Sequence, residues 1–203
     1  MSDDHQDWRH LDAAGATPVA DDDREALKLG WVATLADLNI AERDNILSGL
    51  RKRRWRNPST IVLLDDLAVR QLHLHMFGDV WKWAGQYRTR EVNIGIAPEK
   101  ISVAVRALVD DARVWLGESD PVHLARAVCR LHHRLVQIHP FVNGNGRLAR
   151  AYSDLVLVAM GQPAFTWGRL KAKPLDEVRV EYLSALRQAD AGDLKPLEEF
   201  VRT

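Results

Sequence analysis

The sequence predicts a mainly α protein, a helical bundle carrying one small β element, and three observations lead there. Apolar residues recur at helical spacing through most of the chain after residue 22. Helix start and stop signals bracket these periodic runs, with Asp120-Pro121 at one start and Gly78 and Gly117 at two ends. Only Tyr87 to Ile96, "YRTREVNIGI", alternates as a strand does, with Val92, Ile94 and Ile96 set against Asn93 and Gly95. At 203 residues and 46% hydrophobic composition, the chain suits one packed domain with a real core.

Three regions are expected: an N-terminal arm over 1–21, N-terminal helices over 22–60, and a main domain over 61–203. "DDDREALKLGWVATLADL" suits a short helix opening on Asp21 to Asp23. A second helix is predicted from Asn39, which can cap it while Glu42 stands three residues on, the spacing of a capping box. Next comes "LLDDLAVRQLHLHMFG", whose Leu64, Leu67, Gln71, Leu74 and Phe77 fall at helical spacing. A helix follows from near Pro98 to Gly117. Another has Asp120 as cap, Pro121 in its first turn and a buried stripe of Leu124, Val128, Leu131, Leu135 and Ile138. "RLARAYSDLVLVAMG" and "PLDEVRVEYLSALRQAD" give two more helices, and "LKPLEEFVRT" a short last one.

Chemistry concentrates in "HPFVNGNGRLAR", His139 to Arg150. Pro140 disfavours α conformation at His139, so the histidine falls at a helix exit where its ring can face a cleft. Gly144 and Gly146 allow unusual backbone angles and close approach of a ligand. An apolar helix then resumes, and its first N–H groups, without side-chain caps, make an anion site. Arg147 and Arg150 lie on one face of that first turn. Cations there oppose the helix dipole, which makes sense if the bound group is polyanionic and the guanidinium forks grip phosphates.

These residues resemble the signature of the Fic family, His-Pro-Phe-x-(Asp/Glu)-Gly-Asn-Gly-Arg-x-x-Arg. The resemblance extends from about Leu63 to Phe200, through "LHLHMFGDVWKWAGQYRT" and "YLSALRQADAGDLKPLEEFV". The wording of "MFGDVWKWAGQYR" and "FTWG" is most similar to a bacterial subgroup called mobile mystery protein B. The resemblance implies a Fic-like helical bundle with a small β-hairpin flap, and transfer of AMP from ATP to a Ser, Thr or Tyr hydroxyl of a target protein. It assigns His139 as general base, and Asn145 with the backbone of Gly144 and Gly146 to the α-phosphate. Arg147 takes the α/β-phosphates and Arg150 the γ-phosphate. Val92, Asn93, Ile94 and Gly95 form the flap that aligns the target segment by strand pairing.

One position departs from the pattern: Asn143 stands where the family's carboxylate holds Mg²⁺. An amide oxygen can ligate but lacks the charge attraction a hard cation favours, so altered dependence on Mg²⁺ or Mn²⁺ is expected. The family's inhibitory motif, (Ser/Thr)-x-x-x-Glu-(Gly/Asn), has no intact copy; in "TLADLN", Thr34 and Asn39 fit but Leu38 occupies the glutamate's place. Glu42 is the nearest acidic candidate for a regulatory role, with capping the favoured explanation. Either the protein is unrestrained or a separate inhibitory partner blocks it.

The remaining features have plainer explanations. "RKRRWR", Arg51 to Arg56, reads as a solvated helix end, and balanced charge (28 Lys+Arg, 28 Asp+Glu) argues against nucleic acid. His73 with His75, and His132 with His133, lack the i, i+4 spacing of helix-borne metal ligands, although His132 could line the cleft. Trp81, Trp83 and Trp115 read as core; Trp167 is open between core and nucleotide contact. Cys129 in an apolar run suits a reducing, cytoplasmic location, and no stretch is long and apolar enough for a membrane span. An alternative of another class is a nucleotide-binding regulatory or interaction protein with weak or no transferase activity.

Overall fold

A computed structural model describes residues 25–32, 34–117 and 120–203. Nine α-helices run in chain order among these residues: α1 Leu35–Leu50, α2 Arg53–Arg56, α3 Thr60–Leu63, α4 Asp66–Phe77, α5 Ile101–Trp115, α6 Pro121–Ile138, α7 Asn145–Ala159, α8 Leu175–Asp190 and α9 Lys195–Phe200. A 3₁₀ turn, Pro98–Lys100, leads into α5. The helices α6 and α7 form the central antiparallel pair. Around it, α5 packs on α6, α8 and α9 pack on each other and on α6, and α1 lies along α4, which itself touches α7.

Helix α6 forms as its sequence dictates. The Asp120 carboxylate accepts from the His123 N–H, and Pro121 fills the first turn. The stripe Leu124, Val128, Leu131, Leu135 and Ile138 is buried as expected. Burial of Cys129 pushes its thiol up to about 12, which leaves it a small core residue.

Four expectations are corrected. The small β-hairpin flap over Val92 to Ile96 is not present. Its backbone is recruited elsewhere: Ile96 N–H donates to the Ile138 carbonyl and Arg88 N–H to that of Pro140, so the segment is a bent loop tied to the exit of α6. Alternation alone does not make a strand without a neighbour to complete the ladder. The segment before α1 also differs. The part of the expected helix at Asp21 to Asp23 lies outside the described residues, but 25–32 is not helical. It runs past Val80–Lys82 as a single antiparallel bridge between Leu27 and Trp81.

The third correction moves the start of α1. Thr34, not Asn39, is the cap: its hydroxyl accepts from the Asp37 N–H while the Asp37 carboxylate accepts from the Thr34 N–H. Two capping boxes compete in this stretch, and the earlier one wins because it adds more than a turn of helix and buries Leu38. Glu42 is therefore mid-helix, and capping does not explain it.

In α4 the expected end at Gly78 holds, whereas the start falls at Asp66 with Asp65 as cap, after the separate α3, and the buried face is rotated from the expected one. Ala68, Val69, Leu72, His73 and Met76 face the core, whereas Leu67 and Leu74 are 52% and 46% exposed. A fully buried histidine decides the orientation.

Candidate active site

The site is built where α6 ends and α7 begins. His139 caps α6 in the left-handed region (φ 52, ψ 61), the conformation that breaks the helix ahead of Pro140. The next five residues turn the chain. Phe141, wholly buried, anchors the turn, and the Asn145 side chain staples it: its Oδ1 accepts from the Phe141 N–H (2.9 Å) and its Nδ2 donates to the Phe141 carbonyl (2.8 Å). The side chain assigned to the α-phosphate thus shapes the loop, which leaves the Asn145 backbone N–H at the helix start. Gly144 (φ 78) is the N-cap of α7, and no side chain caps that helix. An uncapped start with glycines on either side of Asn145 presents N–H groups to an anion.

His73 is a residue whose part in this site was not legible from spacing. It is fully buried on α4, and burial holds its imidazole down at about 3, so the ring is neutral. Its Nδ1 accepts from the Gly85 N–H (2.9 Å), which leaves Nε2–H to donate to the Asn143 carbonyl (3.0 Å). The ring also stacks on Phe141 at 3.8 Å. His73 therefore joins α4, the 80s loop and the glycine turn in one fixed register.

His139 is 7% exposed and covered by the 88–96 loop. A Cβ added at Gly95 would lie 2.6 Å from the His139 Cβ, so only glycine lets the loop approach this closely. Arg88, also unanticipated, holds that loop in place: its Nε donates to the His139 carbonyl (2.8 Å), Nη1 to that of Arg90 and Nη2 to that of Ile96. Of the four expected flap residues, Val92, Asn93, Ile94 and Gly95, the last lies against His139, and Ile94 is 55% exposed. Burial, helped by the Arg88 charge, pushes the His139 imidazole down to about 4, so at neutral pH it is unprotonated and able to accept a proton.

The two arginines of the turn have separate neighbours. Arg147 Nη1 pairs with Glu42 Oε2 at 2.8 Å, and its guanidinium lies over Phe77. Glu42 is 2% exposed, and its other oxygen accepts from the Trp81 indole N–H at 2.6 Å. Arg150, 1% exposed, lies over the Tyr182 ring on α8. Asn143 turns its Oδ1 back onto the Gly144 N–H (2.7 Å). Among the described residues no group of three His, Cys, Asp or Glu could hold a metal ion. His132 does not line the cleft but is fully buried, with Nε2 and the Tyr182 hydroxyl 2.9 Å apart. Trp167 is core as well: it packs on His132 and donates its indole N–H to Asp154.

Residues 63–157, which include this helix exit, the glycine turn and the uncapped helix start with its two arginines, match the pattern of a known family. This segment belongs to the Fic/DOC family. This chain is 31% identical over 194 residues to the protein adenylyltransferase fic-1 of Caenorhabditis elegans, a match covering 88% of this chain and 35% of the relative. It is also 31% identical over 175 residues to the protein adenylyltransferase Fic of Nematostella vectensis, over 80% of this chain and 38% of that protein. It therefore spans little more than a third of the length of these curated relatives. Among solved structures, BepC of Bartonella tribocorum with bound AMPPNP superimposes with a TM-score of 0.68 at 15% identity, over 89% of this chain and 95% of that one. At that identity the likeness speaks for the Fic fold alone.

Proposed function

We propose that this Fic chain transfers AMP from ATP to a Ser, Thr or Tyr hydroxyl of a target protein. The observation that carries the proposal is the neutral His139 imidazole held at the exit of α6, one short turn from the uncapped start of α7. The names of the relatives, protein adenylyltransferases, support the same reaction. In the step envisaged, His139 removes the hydroxyl proton, the oxygen attacks the α-phosphorus, and the bond to the β-phosphate oxygen breaks to release pyrophosphate. A positioned base of this kind contributes about 10²–10⁴ in rate. The backbone N–H groups of Asn145 and Gly146 stabilise charge developing on the α-phosphate. Arg147 is assigned the α/β-phosphates and Arg150 the γ-phosphate. The loop with Val92, Asn93, Ile94 and Gly95 presents the target segment beside His139 through loop contacts rather than strand pairing.

Mg²⁺ fits this residue set poorly: the side-chain oxygen at the family's metal position, Asn143 Oδ1, is uncharged and already accepts from Gly144, and no group of three His, Cys, Asp or Glu that could hold a metal ion occurs among the described residues. A hard divalent cation would then be held chiefly by the nucleotide's phosphates.

Glu42 is assigned a restraining role. Its buried pair with Arg147 ties α1 to the phosphate turn, so Arg147 must exchange Glu42 for a phosphate when ATP binds. This restraint lies within the chain and needs no separate inhibitory partner. A cytoplasmic location is part of the proposal; no helix among the described residues is long and apolar enough to cross a membrane.

Incubation of the protein with α-labelled ATP and cell lysate tests the reaction. Label transferred to protein, and lost with His139→Ala, supports it. Nucleotide binding without transfer would overturn it in favour of a nucleotide-binding regulatory protein.

A further inference from the structure

On the side of α6 away from its stripe of buried leucines lies an open groove of about 630 Å³ that no step of the transfer uses. One wall is α6 itself, which presents Arg126, Arg130 and Arg134 at successive turns. The other is formed by Trp115 at the end of α5 and by the turn joining α8 to α9, and Ala127 and Ala189 lie at its base.

The arginine row is costly to the helix that carries it. Like charges at i, i+4 repel, and two such pairs share this face. Among the described residues only Arg126 has a carboxylate within ion-pair distance, Glu198 at 3.1 Å. Arg130 lies 4.1 Å from the Trp115 ring centroid, and Arg134 bonds the neutral Gln137 side chain. All three are exposed. The groove thus offers a fixed row of positive charge above a small, apolar base.

The spacing specifies what would fill it. Four residues of helix rise about 6 Å, so the three guanidinium groups recur at that interval along roughly 12 Å. Alternate side chains of an extended polypeptide recur at about 6.6 Å on one face. A single nucleic-acid strand has similarly spaced charges but needs open aromatic faces for its bases. Here the lining rings are Trp115, one face of which Arg130 covers, and His123 and His133, whose Nε2 atoms are engaged by the Trp115 carbonyl and the Asp190 carboxylate.

We propose that the groove between α6, Trp115 and the α8–α9 turn is a docking site for an extended acidic segment of a partner protein, with carboxylates at alternate positions meeting Arg126, Arg130 and Arg134. The site lies outside the transfer machinery, and its test does not require the transfer reaction to occur.

The experiment measures fluorescence anisotropy of a short dye-labelled peptide alternating Glu and Ser, with the full chain, at low and at high salt. Three proteins are compared: the parent, the double variant Arg130→Glu/Arg134→Glu, and a control reversing an equal charge elsewhere, Arg51→Glu/Arg53→Glu. The parent is expected to bind with salt-sensitive affinity, the groove variant to bind at least about ten-fold more weakly, and the control to match the parent. Circular dichroism melts check that the exposed substitutions leave the fold intact. Equal peptide affinity in the parent and the groove variant would overturn the proposal. So would an equal loss in both variants, or tighter groove-dependent binding of oligothymidylate than of the peptide.

Discussion

Replacing Glu42 with glutamine separates the two consequences of the Glu42–Arg147 pair. The amide keeps an oxygen for the Trp81 indole N–H but removes the charge that faces Arg147. Both partners are almost wholly buried, at 2% and 6% exposure, so the arginine charge cannot turn to solvent for compensation. Breaking a buried pair from one side costs about 3–5 kcal/mol, and the retained amide bond puts Glu42→Gln near the lower figure. For a chain of this size each kcal/mol moves the melting temperature by about 2–4 °C, so a fall of about 6–12 °C is expected. ATP supplies the missing negative charge at the same guanidinium. Its stabilising effect should therefore be larger in the variant than in the parent, and the rate of transfer should rise as well. Melts followed by circular dichroism, with and without ATP, read the fall in melting temperature and the ATP effect together, and transfer of α-labelled ATP reads the rate. If Glu42→Gln unfolds within about 1 kcal/mol of the parent, as a solvent-screened pair would, and shows the same ATP shift, then neither the pairing energy nor the restraint is as argued.

The remaining expectations concern the turn and its surroundings. Because burial holds His139 at about 4, the base is lost only as pH falls through that value; the acid limb of kcat/KM for labelling should lie near pH 4, well below the usual histidine range. Asn143→Asp should lower the Mg²⁺ concentration needed for half-maximal transfer, read by titrating the metal at fixed ATP; an unchanged requirement would remove Asn143 as the cause of altered metal dependence. Gly144→Ala puts a Cβ 2.5 Å from Phe77 Cζ at a φ of 78, so urea unfolding should show a loss above the roughly 1–2 kcal/mol of left-handed strain alone. Burial raises the Asp154 carboxyl to about 7, so the fold favours its protonated form. The destabilisation from ionising it grows as pH rises from about 4 through 7, and is absent below both values. Asp154→Asn can still accept from Trp167 and Phe165, and should melt above the parent at pH 8 with the gap closing toward pH 5.

Local signals carried much of the helical layout. The Asp120 cap, Pro121 and the leucine stripe of α6 act within a few residues of one another, and α6 forms as they direct. Pro140 likewise determines the exit at His139 through its effect on the preceding residue. Errors entered where two local solutions competed or where a distant partner decided. The cap at Thr34 and the box at Asn39 have the same grammar, and only packing against α4 selects the longer helix. On α4, leucines sit on both flanks of the buried face, so periodicity could not say which flank turns inward; His73 resolves it through bonds to Gly85 and Asn143, 12 and 70 residues away. The alternation of Val92, Ile94 and Ile96 suggested a hairpin that Arg88 replaces by gathering three carbonyls of the loop and helix exit.

The sequence by itself determined the helical class, the ends of the central helices, the family, and the candidate base on a glycine turn, because each depends on chain neighbours and on a contiguous motif. Tertiary structure alone decided that Glu42 meets Arg147 across 105 residues, that His73 holds the turn, and that Arg150 lies over Tyr182. Those contacts depend on which faces come together when apolar surface is buried. A buried charge or imidazole then takes whatever partner the packing brings within reach, and nothing in its own stretch of chain names that partner.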